Sequence, residues 1–185
     1  MVFLRSDTRC PAAKICHIQF AIRLWEIMKK LITTCALSMT LCMATAMAEN
    51  FPYHGKGHVI AGPEALEWGD VASMAPGAKI AVLEGQLSEA VPFTFRLKLP
   101  ANFRLAPHIH PAYERVTVLQ GTLHFAHGEK YDRGATTPMP VGSFAVMAPG
   151  EPMFGYTEEE TVIQLHGTGP WGIEYLDPAD DPRRN

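Results

Sequence analysis

The stretch PHIHPAYERVTVLQG, residues 107–121, sets two histidines one residue apart and a glutamate four residues after the second. On an extended strand, side chains alternate between faces, so His108 and His110 project together. Pro111-Ala112 breaks that strand, and Glu114 opens the next, sharing a face with Val116 and Val118. Two imidazoles and a carboxylate then converge from adjacent strands. This donor set suits a divalent metal ion, Fe2+ first, with Zn2+, Mn2+ or Ni2+ as alternatives.

Working outward, the same period of two recurs. FTFRLKLP, residues 93–100, points Phe93, Phe95, Leu97 and Leu99 one way and Thr94, Arg96 and Lys98 the other. Further strands are expected at 79–84, 106–110, 114–119, 122–127, 143–147, 153–157, 161–166 and 172–176. Gln120-Gly121, Pro140-Val141-Gly142, Pro149-Gly150 and the run 167–170 punctuate them as turns. Only PEALEW, residues 63–68, reads as a short helix, and the loop 128–138 is expected to act as a lid over one mouth. About nine short strands at this spacing predict an all-β, antiparallel sandwich or small barrel.

The first 48 residues read differently. From Met28, two lysines, an apolar run from Leu31 to Ala44 and the small-residue site Ala46-Met47-Ala48 follow the order of a signal peptide. The reading is a mis-assigned upstream start over residues 1–27, a leader over 28–48 and one domain over 49–185, periplasmic or secreted after cleavage near Ala48. All four cysteines precede that point, so the mature domain has no disulfides. It keeps 10 Lys and Arg against 17 Asp and Glu, a net charge of −7. An acidic domain without a basic stripe argues against nucleic acid and anionic membranes as partners, and for a small-molecule substrate or ligand.

The arrangement His108, His110, Glu114 and Gly121 resembles the first motif of the cupin superfamily, and residues 141–155, VGSFAVMAPGEPMFG, resemble its second. The resemblance implies an antiparallel double-stranded β-helix, a small jelly-roll barrel. The end of the chain is loosely similar to exported cupins compared with acetylacetone-cleaving dioxygenases. Cupins are often dimeric, and pairing of FTFRLKLP or an N-terminal strand across an interface would give a homodimer.

This chain departs from the pattern at Met153, where the family usually supplies a last histidine, and at Ala148 and Asn102. Two residues are candidates to replace that ligand. If Glu158-Glu159 is a hairpin loop, Gln164 and His166 share the inward face of Met153. The same counting across Gln120-Gly121 sets His127 opposite Glu114. The expected site is therefore His108, His110 and Glu114 with His166 as fourth metal ligand, and His127 as the alternative. Glu114 is also the candidate catalytic group, completing the ligand set or orienting a bound water. His54, His58 and His124 are read as surface residues, Tyr113 and Arg115 as solvated loop residues, and Glu158–Glu160 as a hairpin tip. The functional expectation is a dioxygenase-like metalloenzyme acting on a small organic molecule. A non-catalytic metal or ligand carrier is the alternative, and a metal-independent sugar isomerase or epimerase ranks third.

Overall fold

The computed structural model describes residues 52–184. The expected upstream start, the leader and its cleavage point lie outside the described residues, as do the cysteines.

The alternation in FTFRLKLP becomes β3 (Pro92–Leu99), with Phe93, Phe95, Leu97 and Leu99 buried. Around it the described residues form β1 (Gly69–Asp70), β2 (Lys79–Glu84), β4 (Arg104–Ile109), β5 (Glu114–Gln120) and β6 (Leu123–His127). The chain continues through β7 (Thr137–Met139), β8 (Phe144–Met147), β9 (Met153–Thr157), β10 (Thr161–Thr168) and β11 (Glu174–Tyr175). Antiparallel pairing orders them β1-β2-β3-β10-β5-β8 in one sheet and β11-β4-β9-β6-β7 in the other. The inner faces share one core, joining Phe95, Val116 and Leu165 from the first sheet with Leu105, Leu123 and Met153 from the second. This is the all-β, antiparallel architecture expected from the strand pattern, in the jelly-roll form that the cupin resemblance implied.

The turns hold the main corrections. Neither Gln120-Gly121 nor Glu158-Glu159 closes a hairpin, because β5 and β10 lie in one sheet and β6 and β9 in the other. The chain crosses between sheets at both places, and the two crossings abut. Gly121 has φ of 70°, and a Cβ on it would lie 2.6 Å from the Glu160 carbonyl oxygen. Only glycine takes that conformation and that approach without strain. Gln120 Nε2 donates to Glu160 Oε1 at 3.3 Å, and Thr161 Oγ1 donates to the Thr122 carbonyl at 3.2 Å. Glu158–Glu160 is thus an inter-sheet crossing and not a hairpin tip.

Three smaller expectations also change. PEALEW forms only a 3-10 turn, Pro63–Ala65. The loop 128–138 packs on the outer face of the five-stranded sheet, with Tyr131 against Phe154 at 5.6 Å and the Arg133 guanidinium 3.8 Å from the Tyr156 ring centre. It therefore covers that face instead of capping the mouth. Finally, β3 lies between β2 and β10, so both edges of FTFRLKLP are already paired and cannot join a second subunit.

Candidate metal centre

The site begins with a bulge. In the pairing of β4 with β9, Leu105 faces Gly155 and His108 faces Met153, so Ala106 and Pro107 oppose the single residue Phe154. Such an insertion re-aims the strand and reverses its parity. Pro107 suits the position because it has no N–H to leave unpaired. Leu105 and His108, three residues apart, consequently both line the interior, and His110 follows on the same side.

Backbone carbonyls fix both rings. His108 Nδ1 lies 2.7 Å from the Ala106 carbonyl inside the bulge, and His110 Nδ1 lies 2.6 Å from the Gly172 carbonyl. A carbonyl only accepts, so each Nδ1 carries a proton, and in a neutral ring Nε2 then keeps its lone pair, the arrangement of a metal-ready imidazole. The rings stand 4.9 Å apart at 83°. Glu114 enters from β5 with Oε2 3.2 Å from His110 Nε2. Its Oε1 accepts a hydrogen bond from Trp171 Nε1 at 2.5 Å. All three residues are at most 4% exposed.

Burial governs the electrostatics. The His108 imidazole is pushed down to about 4, by desolvation first and by neighbouring His110 second, against the pull of the Ala106 carbonyl. Burial raises the Glu114 carboxyl, opposed by His110 and by the Trp171 hydrogen bond. A lone pair on His110 Nε2 and an ionised Glu114 Oε2 are both acceptors. At 3.2 Å they need a cation between them, either a proton or a metal. Metal–nitrogen and metal–oxygen bonds of about 2.0–2.2 Å put two neighbouring ligand atoms roughly 3–3.5 Å apart, so the pair fits a metal. Among the described residues, no set of three or more His, Cys, Asp or Glu side chains already stands in the arrangement of a complete metal site.

The remaining sequence candidates separate clearly. Met153 is 1% exposed and lies in register between His108 on β4 and His127 on β6. His127 follows Leu123 and Phe125 on the inner face but is exposed at the rim, its ring 5.6 Å from Phe125, and does not line the cavity. It does not face Glu114, which pairs instead with Met147 and Gly167. His166 pairs with Thr94 and Arg115, while its neighbours Ile163 and Leu165 line the cavity. His166 therefore occupies the outer face and cannot be the fourth ligand. The sequence-based register assumed a hairpin that does not exist, and one step of error reverses every side chain. His124 points outward as expected, stacked on Tyr156 at 4.4 Å, and Tyr113 is exposed.

The triad opens on a cavity of about 40 Å³, otherwise lined by apolar side chains that include Met74, Leu105, Phe125, Met147 and Met153. Trp171, also in its wall, is the residue that sequence reasoning missed. Its signal was a lone indole inside the turn-rich run HGTGPWG, but only the fold reveals that its N–H reaches Glu114.

Comparison with known proteins supports the architecture. Residues 56–171 match the model of the family described as Domain of unknown function (DUF4437). No curated protein matches the chain significantly. The polyketide cyclase RemF from Streptomyces resistomycificus is similar in structure, with a TM-score of 0.58 at 16% identity over 69% of this chain and 92% of that one. An acetylacetone dioxygenase from Acinetobacter johnsonii gives a TM-score of 0.52 at 16% identity, covering 69% of this chain and 82% of its own. An RmlC-like cupin from Ralstonia eutropha JMP134 gives 0.51 at 15% identity, covering 68% and 76%. At these identities the likeness is one of fold, and it is the cupin fold. With the match spanning residues 56–171, the chain belongs to the DUF4437 family, built here as a cupin barrel.

Proposed function

We propose that this is an exported metal-binding cupin that carries out dioxygenase-like chemistry on a small organic molecule. The observation that carries the reading is the convergence of buried His108, His110 and Glu114 on one cavity, with His110 Nε2 and Glu114 Oε2 3.2 Å apart. His108, His110 and Glu114 would hold a divalent ion, with iron(II) favoured by the mixed imidazole and carboxylate donors. When bound, the ion supplies Lewis acidity, redox capacity and a template for substrate. The protein contributes orientation and exclusion of water. Backbone carbonyls lock both imidazoles, and the apolar wall keeps bulk solvent from the reacting centre.

Cavity chemistry narrows the substrate. About 10–15 Å³ of such space holds one water, so 40 Å³ holds roughly three. Among the described residues no Lys or Arg lines it, so that wall offers no cation to pair with an anionic group. A small molecule with two metal-facing oxygens, such as a 1,3-dicarbonyl, suits the metal and the apolar wall, and like a phenolic ring it needs the flexible methionine side chains to move. The fold likeness to an acetylacetone dioxygenase agrees with this choice. The test has two steps. Elemental analysis of purified protein beside His110→Ala should find near-stoichiometric metal only in the parent. The iron(II)-loaded protein should then consume oxygen with a 1,3-dicarbonyl; loading without turnover across a broad panel would defeat the enzymatic reading.

Met153 favours one second reading. A thioether replaces the last imidazole usual in the cupin pattern beside His108, leaving at most three ligands and a site suited to carrying a metal or a metal-linked ligand without turnover. Metal bound in the absence of oxygen consumption would select it.

A further inference from the structure

Two adjacent residues of one loop, Trp171 and Gly172, support two of the three candidate ligands. The Gly172 carbonyl accepts from His110 Nδ1 at 2.6 Å, and the Trp171 indole donates to Glu114 Oε1 at 2.5 Å. The loop itself is anchored. Gly169 N donates to the Val91 carbonyl at 2.9 Å, and Trp171 N donates to the Leu87 carbonyl at 2.7 Å. The indole packs edge-on against Phe95 at 4.8 Å and lies over His110 at 6.2 Å and 27°. Its orientation is therefore set by packing on one side and by a main-chain bond on the other.

We propose that Trp171 is the positioning residue of this centre: by occupying Oε1, it makes Glu114 present only Oε2 to the cation shared with His110. The proposal rests on reading the pair as a cation site. It assigns a chemical consequence to a single N–H. A carboxylate free at both oxygens can chelate a metal through both and fill a further coordination position, whereas one held at Oε1 is biased to bind through Oε2 alone and leave that position for substrate. The 3.2 Å contact of Oε2 with His110 Nε2 is the geometry such a restraint produces.

Cobalt(II) titration of the full chain tests this, because visible absorption reports coordination number as well as affinity. Trp171→Phe keeps a ring against Phe95 and His110 but removes the donor. Loss of an outer hydrogen bond to a ligand weakens metal binding about 10- to 100-fold, so that loss is expected, with weaker cobalt absorption as the second carboxylate oxygen joins. In a Glu114→Ala background, the same substitution should change affinity less than about twofold, since a residue acting only through Glu114 has nothing left to act on. An unchanged affinity and spectrum, or an equal loss in both backgrounds, overturns the proposal. Should Trp171→Phe not fold, the unaltered chain still decides: its Trp171 indole N–H resonance, assigned by difference with Trp25→Phe and Trp68→Phe, must move on adding zinc, and a resonance that stays put refutes the coupling. A parent that binds neither metal refutes the cation site itself, and the proposal with it.

Discussion

Replacing Met153 by histidine restores an imidazole where the cupin pattern usually has one, and the structure determines what it must do. Met153 is fully buried and directly opposite His108, and cross-strand neighbours hold their Cβ atoms about 4.5–5.5 Å apart. Without metal the new ring is a buried polar group with no designed partner, costing about 1–3 kcal/mol. For a domain of this size, 1 kcal/mol shifts Tm by about 3–5 °C, so the metal-free variant should melt roughly 5–10 °C lower. With metal the sign reverses. Saturation at 100 times Kd stabilises any binder by about 2.7 kcal/mol, and each tenfold gain in affinity adds about 1.4 kcal/mol. If the third imidazole tightens binding tenfold or more, its metal-induced rise in Tm should exceed that of the parent by at least about 4 °C at equal metal. Differential scanning fluorimetry with and without zinc or nickel measures both changes, and adding His110→Ala should abolish the gain. A metal-induced rise no larger than the parent's would refute the reasoning, since Met153 would then not look at the ion.

Three further outcomes are expected. His166→Ala should leave metal content unchanged and stability within about 0.5 kcal/mol, because His166 lies on the outer face beside Thr94 and Arg115; metal loss by elemental analysis would contradict the register. In metal-free protein, His108 is held near 4 against an ordinary 6.5, so the unfolded chain binds more protons between those values. Its contribution is therefore complete above pH 6.5 and lost as pH falls toward 4, by about 3 kcal/mol in all. Glu114, raised by burial, works with the opposite sign, its contribution lost as pH rises through its raised value, so urea titrations are best compared between Glu114→Gln and Glu114→Gln with His108→Gln. Parallel pH profiles for that pair would exclude the His108 contribution. Gly155→Ala should cost about 1–3 kcal/mol in urea unfolding, because the added Cβ meets the His124 carbonyl oxygen at 2.5 Å and backbone cannot step aside; an unshifted midpoint would rule this out.

Much of the barrel was readable in advance because alternation is a local property. The segment from Phe93 to Leu99 needs no partner to declare which side chains are apolar, and β2 and β9 fall where the pattern put them. The inward direction of His108, His110 and Glu114 was also legible, though for an incomplete reason. His108 faces inward only because Ala106 and Pro107 form a bulge that reverses the parity set by Leu105. The displacement of His166 was not legible. Its face depends on which strands β10 joins, and sequence spacing made β9 its neighbour when β3 and β5 are.

The sequence by itself determined the alternating strands, the glycine turns, the paired imidazoles and the carboxylate, because each follows from side-chain chemistry within a few residues. Only the tertiary structure decided that β5 and β6, and β9 and β10, part into different sheets. It also decided that Met153 stands between two histidines and that Trp171 reaches Glu114. These are contacts between residues far apart in the chain. Their distances are set by how two sheets pack, and no local pattern encodes them.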